Sequence, residues 1–230
     1  MRKLKVCTVL GTRPEIIRLS RVIHKLDQYF DHSLIHTGQN YDYELNEVFF
    51  EDLELKAPNY YLESADKSSS ALNTIGNILI KLDPLLDKIK PDAMLILGDT
   101  NSSIASLAAK RKKIPIFHME AGNRSFDQRV PEEINRKIVD HISDINFVLT
   151  EHSRKYLIQE GIKAETIFKT GSHMYEVLDK FKDNIDNSNI LDKIKIKKNN
   201  YFLFSFHREE NVDNINNLKK ILEIINTLYS

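Results

Sequence analysis

Short apolar runs alternate with helical stretches along most of this 230-residue chain. Runs such as LKVCTVLG and AMLILG are apolar at nearly every position, which is typical of strands buried on both faces of a sheet. After the first run, Ile16, Leu19, Ile23 and Leu26 recur at the spacing of one helix face. This alternation predicts an α/β fold, with a parallel sheet covered by helices on both sides.

The apolar runs define the strands that we expect in this sheet. They are LKVCTVLG, SLIHTG, a short YYL, AMLILG, IPIFHM, INFVL and TIFKTG. Helical patterns separate these runs. One of them, ALNTIGNILIKLDPLLDKI, contains Pro84, which we expect to kink or split the helix because proline lacks a backbone N–H.

The pattern changes at residues 179–200, which are rich in Lys, Asp and Asn and are predicted to form a connection. YFLFSF then predicts a buried strand, and NNLKKILEIINTLYS predicts an amphipathic helix. One strand and one helix cannot bury this apolar surface alone, unless the strand joins an edge of the first sheet. We therefore predict an N-terminal domain over 1–172, a connecting segment over 173–198, and the first strand and helix of an incomplete second domain over 199–230.

Composition narrows the class of protein. The 33 basic and 33 acidic residues cancel, which argues against nucleic-acid binding. The single cysteine, Cys7, lies in an apolar strand, so the chain has no disulfide framework and fits a reducing cytoplasm. No apolar run approaches the length of a membrane span, and the N-terminal MRKLKVCTVLG is too short for a signal peptide.

Polar residues follow the predicted strands at the edge where parallel sheets bind their ligands. These residues are Arg13, Gln39, Asp99, His118, Glu120, Ser172, His173, His207 and Arg208. A glycine, a charge and a helix start follow most of the strands. This recurrence favours a binding site at the carboxyl edge of the sheet.

Most of these candidates also have a purely structural explanation. Asp99 could cap the helix that follows it. Glu132 and Glu133 follow Pro131 in a first helical turn, where carboxylates stabilise the helix dipole. Arg13 precedes a helix N-terminus, a natural anion site, yet it could equally be a surface arginine. The spacing of cysteine and histidine indicates no metal site.

Five motifs occur in order between residues 11 and 211: GTRPEIIR, GDTNS, HMEAGNR, PEEINR and FHREEN. Together they resemble the motif series of the non-hydrolysing UDP-N-acetylglucosamine 2-epimerase family. That family has two Rossmann-like domains in the GT-B arrangement, with the active site between them. The resemblance covers the whole chain but only the first half to two-thirds of the family fold. It implies a Rossmann-like doubly wound parallel sheet that is the N-terminal half of a truncated GT-B-type fold.

The resemblance also implies a reaction, the epimerisation of C2 of a UDP-N-acetylhexosamine by elimination and re-addition of UDP. Inversion requires acid/base groups on both faces of C2 and cations beside the departing diphosphate. The resemblance implies that Asp99, Glu120, Glu132 and His207 are catalytic, and that Arg13, Arg18 and Gln39 bind substrate. From spacing alone, Arg18 lies on the polar face of its helix and would be solvated. The reaction is redox-neutral, so no cofactor and no metal are implied.

Three departures from the commonest family pattern narrow the implied substrate. Arg18, Asn123 and the segment GQNYDYELNEVFF are similar to the subgroup that makes UDP-N-acetyl-L-fucosamine for capsule or O-antigen, the UDP-2-acetamido-2,6-dideoxy-L-talose 2-epimerases. The substrate implied is therefore either UDP-GlcNAc, converted to UDP-ManNAc, or the precursor of UDP-L-FucNAc.

The implied partner is a UDP-sugar, without nucleic acid or membrane. Family members are commonly homodimers, so we expect a homodimer or pairing with a separately encoded second half. Because the family binds uridine mainly through its second domain, we expect the 230-residue chain alone to have weak activity or none. The alternatives are a non-catalytic nucleotide-sugar-binding fragment and a GT-B glycosyltransferase-like module.

Overall fold

A computed structural model describes residues 2–38, 43–65, 70–205 and 214–229, with the backbone alone for residues 43–47 and 229. The predictions for Gln39 and His207 therefore lie outside the described residues. The chain divides into two compact units, Met1–Phe181 and Lys182–Ser230. Within the described residues, no helix is both long enough and apolar enough to cross a bilayer.

The first unit contains a seven-stranded sheet in the order β3-β2-β1-β4-β5-β6-β7, and every neighbouring pair is parallel. The strands are β1 (Lys5–Leu10), β2 (Asp31–His36), β3 (Tyr60–Tyr61), β4 (Ala93–Leu97), β5 (Ile116–Ala121), β6 (Ile145–Val148) and β7 (Ile167–Lys169). The predicted α/β fold with a Rossmann-like doubly wound sheet is confirmed. The strand order reverses between β1 and β4, and ligands bind at the carboxyl end of such a switch point.

Helices connect the strands and cover both faces. In the first unit they are α1 (Arg13–Tyr29), α2 (Tyr43–Asp52), α3 (Ala71–Ile89), α4 (Ala105–Arg111), α5 (Pro131–Ile142), α6 (Glu151–Gln159) and α7 (Met174–Lys180). Two 3₁₀ turns, Asn101–Ile104 and Ala164–Thr166, precede α4 and β7. α7 packs against α1, so it belongs to the first unit although it lies within the predicted connecting segment.

The apolar pattern of the strands produces a core on each side of the sheet. On one side, Cys7 and Ile96 pack with Ile78 and Leu82 of α3. On the other side, Leu10 and Leu95 pack with residues of α1 that include Ile16, Leu19 and Ile23, the stripe predicted from helical spacing. Burial of a Leu or Ile side chain stabilises the folded state by about 1.5–3 kcal/mol, so these two apolar layers stabilise the sheet and fix the positions of its strand ends.

Pro84 lies inside α3 and does not split it. Proline removes the hydrogen bond to the carbonyl four residues earlier, at Ile80. The Ile80 side chain is 72% exposed, so this part of the helix faces water, which can hydrate the freed carbonyl.

The second unit contains α8 (Lys182–Asp186), α9 (Ile190–Lys193) and α10 (Ile215–Tyr229). The amphipathic helix predicted near the C-terminus is therefore present as α10. Residues 201–205 of the predicted strand YFLFSF do not form a strand, and their side chains are exposed. A strand is stable only when paired, and no described residue of this unit offers a partner strand.

Candidate active site

Glu120 sits where β5 ends at the carboxyl edge of the sheet. The register between β5 and β6 shifts between Met119 and Ala121, and Glu120 has a φ of +62°. A bulge of this kind re-aims one side chain, and backbone strain of about 1–3 kcal/mol is commonly found at functional sites. The bulge therefore points the Glu120 side chain in a different direction from the one that regular alternation along the strand would give it.

The Glu120 carboxylate is held between two different side chains. Arg18 of α1 donates from Nη1 to Glu120 Oε2 at 2.8 Å. Nε2 of His173 lies 3.5 Å from the other oxygen, Oε1. The predicted solvated position of Arg18 is thus only half correct, since its side chain is 42% exposed but its guanidinium pairs with a carboxylate that is 11% exposed.

Asp99 reaches the same place from the end of β4. Its carboxylate is gripped by Arg136 of α5, which donates from Nε at 2.9 Å and also from Nη2. Oε2 of Glu120 lies 3.8 Å from the position that a Cβ would occupy on Gly98, next to Asp99. Asp99 and Glu120 therefore lie close together, each beside an arginine.

Burial and the neighbouring charges together determine the pKa of Glu120. Burial raises the pKa above its usual value, and the negative charge of Asp99 raises it further. Arg18 and His118 act in the opposite direction but do not cancel the effect of burial. A largely buried carboxyl group whose pKa is raised by burial is a candidate for proton transfer.

Asp99 does not act as the helix cap that spacing alone allowed. Thr100 is the N-cap of the 3₁₀ turn and accepts a hydrogen bond from the Ser102 backbone N–H at 3.2 Å. The backbone carbonyl of Asp99 accepts a bond from Asn135 Nδ2 at 2.9 Å. The Asp99 carboxylate is left to pair with Arg136 at the edge of the sheet.

The two glutamates at the start of α5 have different environments. Glu133 is completely buried and accepts hydrogen bonds from Ser125 N (2.9 Å) and Oγ (3.1 Å), and from Arg136 Nη1 (2.7 Å). It therefore orients the arginine that holds Asp99 and closes the base of the loop 126–130. Glu132 is exposed on the same first turn. Arg13 is exposed at the first position of α1.

A buried ion network supports the end of β5 from behind. His118 donates from Nε2 to the Gly98 carbonyl at 2.8 Å, and its Nδ1 lies 2.9 Å from Asp140 Oδ1. Arg124 donates from Nη1 to Asp140 Oδ2 at 2.7 Å. Burial alone would raise the pKa of Asp140, but His118 and Arg124 bring it below its usual value. The network ties the Gly98 turn to α5 and so fixes Glu120 relative to Asp99.

Glu15 performs a similar task at the end of β1. It is buried and accepts bonds at Oε2 from the backbone N–H groups of Gly11 and Thr12, both at 2.8 Å. Its other oxygen accepts from the Thr100 hydroxyl at 2.7 Å. One carboxyl group thus joins the loop after β1 to the loop after β4, across the switch point of the sheet.

The structure brings together Arg18, Asp99 and Glu120 among the residues predicted for the site. Sequence analysis assigned no specific contact to His173, which lies beside Glu120, or to Arg136, which binds Asp99. It explained Glu133 only by the helix dipole, whereas Glu133 accepts a hydrogen bond from Arg136. For His173 the signal in the sequence was its place shortly after the apolar run TIFKTG, at the carboxyl edge of the sheet. No group of three or more His, Cys, Asp or Glu residues suited to a metal ion occurs among the described residues.

Comparison with known proteins places this geometry in a family. The sequence profile of the UDP-N-acetylglucosamine 2-epimerase family matches residues 24–230. A UDP-N-acetylglucosamine 2-epimerase homolog of Methanococcus maripaludis is 43% identical, with 95% of this chain and 61% of that protein covered. The chain therefore spans about 61% of the length of this curated relative.

Two solved structures share the fold. The UDP-N-acetylglucosamine 2-epimerase of Rickettsia bellii is 56% identical, with a TM-score of 0.88 over 98% of this chain and 60% of that one. The UDP-GlcNAc 2-epimerase of Methanocaldococcus jannaschii, solved with UDP-GlcNAc and UDP, is 38% identical, with a TM-score of 0.88 over 96% and 62%. Profile, sequence and fold agree, and the chain belongs to the UDP-N-acetylglucosamine 2-epimerase family.

Proposed function

We propose that this chain supplies the acid/base wall of an enzyme that inverts C2 of a UDP-N-acetylhexosamine. The observation that carries the proposal is the approach of Glu120 and Asp99 to each other at the switch point, each held by an arginine. The relative from Methanocaldococcus jannaschii was solved with UDP-GlcNAc and UDP, which supports a UDP-sugar as the ligand.

The chemistry explains why such a cluster is needed. The hydrogen on C2 has no neighbouring carbonyl to make it acidic, so its removal is coupled to loss of UDP from C1. The C2–H electron pair becomes the C1=C2 double bond, and the C1–O pair leaves with UDP. UDP then adds back while a proton reaches the opposite face of C2. Two acid/base groups and nearby cations meet these needs.

The proposal assigns each predicted residue a role. Asp99, Glu120 and Glu132 transfer protons, while Arg18 and Arg13 provide positive charge for the diphosphate. His207 and Gln39, which lie outside the described residues, serve catalysis and substrate binding respectively. No step requires a metal or a redox cofactor.

The finer assignment concerns the sugar and the setting. Arg18 and Asn123 support the UDP-L-FucNAc-forming subgroup over the UDP-GlcNAc to UDP-ManNAc reaction. The enzyme is proposed to act in the cytoplasm, where it would make precursors of capsule or O-antigen. The Asn123 side chain accepts a hydrogen bond from Ser153 Oγ at 3.1 Å, so it anchors the loop after β5 to α6. The working enzyme is proposed to be a homodimer, or to include a separately encoded second half.

The test is solvent-proton exchange at C2, followed by NMR in deuterated water. We expect little or no exchange with the 230-residue chain alone. We expect clear exchange with a chimera that joins its residues 1–181 to the remaining part of the Rickettsia bellii relative. The conservative variants D99N and E120Q should each abolish exchange in the chimera, whereas H152N, at an exposed helical position, should not.

Two results would contradict the proposal. Exchange that persists in E120Q would remove Glu120 from the reaction. Binding of UDP-sugar by a folded chimera without any deuterium at C2 would favour the non-catalytic binding fragment instead.

A further inference from the structure

His173 lies between β7 and α7, directly before the first residue of α7. Its side chain is 8% exposed, and its Nε2 lies 3.5 Å from Glu120 Oε1. Within the part of the chain that the structure describes, neither ring nitrogen has a hydrogen-bond partner. Buried polar atoms are almost always paired, so an imidazole left without partners beside a reactive carboxylate calls for a functional explanation.

The two oxygens of Glu120 differ in what they face. Oε2 accepts a hydrogen bond from the Arg18 guanidinium, which can only donate. Oε1 faces His173. A proton taken up by Glu120 would therefore be carried on Oε1, on the side of the imidazole.

The electrostatics keep this imidazole neutral. Burial lowers the pKa of His173, and the charge of Arg18 on α1 lowers it further, while Glu176 on its own helix acts in the opposite direction. Burial raises the pKa of Glu120 on β5. A neutral imidazole retains one nitrogen lone pair that can accept a hydrogen bond.

We propose that His173 is a positioning residue whose Nε2 accepts the Oε1–H group of Glu120 once Glu120 has taken a proton. The inference rests on the proposed function and deepens it, because that reaction requires Glu120 to alternate between carboxylate and carboxylic acid. When Glu120 removes the C2 proton, the proton binds Oε1, the C2–H pair forms the C1=C2 bond, and UDP leaves with the C1–O pair. His173 then holds the protonated side chain in place and gains no charge itself.

The decisive experiment requires no turnover. Long-range ¹H–¹⁵N NMR of the 230-residue chain reports which ring nitrogen of each histidine carries the proton. In E120Q, Arg18 should bind the amide oxygen and turn the amide NH₂ toward His173. We therefore expect Nε2 to be the acceptor and Nδ1 to carry the proton. A His173 ring protonated on Nε2 in E120Q would overturn the inference. The signals of His173 are identified by their loss in H173L.

A second measurement uses the C2 exchange assay on the chimera that joins residues 1–181 to the remaining part of the Rickettsia bellii relative. H173L, which cannot accept a hydrogen bond, should lower kcat by about tenfold, less than the roughly 10²–10⁴ that a general acid/base contributes. Its KM should stay within about twofold of wild type. H173Q, whose amide oxygen can accept, should recover most of the loss, whereas equal loss in both variants would overturn the inference. If the chimera with His173 intact shows no exchange, the proposed function is in question, and the NMR result still decides the role of His173.

Discussion

Gly122 lies two residues beyond Glu120 and cannot carry a side chain without strain. Its φ is +75°, and a Cβ placed there would lie 2.6 Å from the Ser153 carbonyl oxygen and 3.0 Å from Leu157 Cγ. Both neighbours belong to α6 and are buried. The substitution G122A would therefore force α6 away from the end of β5.

The cost can be estimated in two parts. A non-glycine residue in the left-handed region costs about 1–2 kcal/mol. The contact with Ser153 is roughly 1 Å shorter than the optimal separation, and overpacking of this kind costs about 1–3 kcal/mol. The free energy of unfolding should therefore fall by about 2–5 kcal/mol, the sum of the two parts.

Gly161 provides a matched control for the first part. Its φ is +90°, but no atom lies within 4 Å of the position that a Cβ would take. G161A should lose only the backbone cost of about 1–2 kcal/mol. Urea denaturation followed by circular dichroism gives the free energy of unfolding of each variant. Equal losses in G122A and G161A would refute the claim that α6 packs tightly on Gly122.

Other changes should alter stability in a defined direction. D140N should lower the free energy of unfolding by about 3–5 kcal/mol, because it breaks a buried ion network, whereas D127N at the surface should resemble wild type by urea denaturation. E120Q should gain stability relative to wild type as the pH rises from about 4 to about 8. Because burial raises the pKa of Glu120, the protonated carboxyl group stabilises folded wild type at low pH, and this stabilisation is lost as the pH rises through the pKa of the folded state. Parallel plots of unfolding free energy against pH for E120Q and wild type would contradict this. G76A, at an open position in α3, should raise the thermal midpoint, since alanine is favoured over glycine in helices by about 1 kcal/mol; an unchanged or lower midpoint would contradict this.

The positions of the strands along the chain could be predicted to a large extent because burial on both faces leaves a strong signal. AMLIL and INFV are apolar runs of the right length, and each became a strand at that position. YFLFSF carries the same signal, yet residues 201–205 are exposed and unpaired. Local composition indicates that a segment can form a strand, whereas the strand forms only when a neighbouring strand is available to pair with it.

From the sequence pattern alone, the site was predictable only as far as single residues at strand ends, and Arg18 entered it only through the family resemblance. Asp99 follows β4, and Glu120 lies near the end of β5. These two strands are parallel neighbours, so their carboxyl ends lie side by side. The partners of these carboxylates come from distant helices. Arg136 lies 37 positions after Asp99, and Arg18 lies 102 positions before Glu120, so no sequence pattern relates them.

The closed base of the loop 126–130, where Ser125 donates to Glu133, has a practical consequence for protein engineering. Because the contact between Ser125 and Glu133 holds both ends of the loop together, residues inserted at the exposed Gln128 would only lengthen a loop that is already closed. Each doubling of the loop length costs only about 0.6 kcal/mol in loop-closure entropy. A fluorescent reporter or epitope could therefore be grafted there, a few residues from the carboxylates, to signal ligand occupancy.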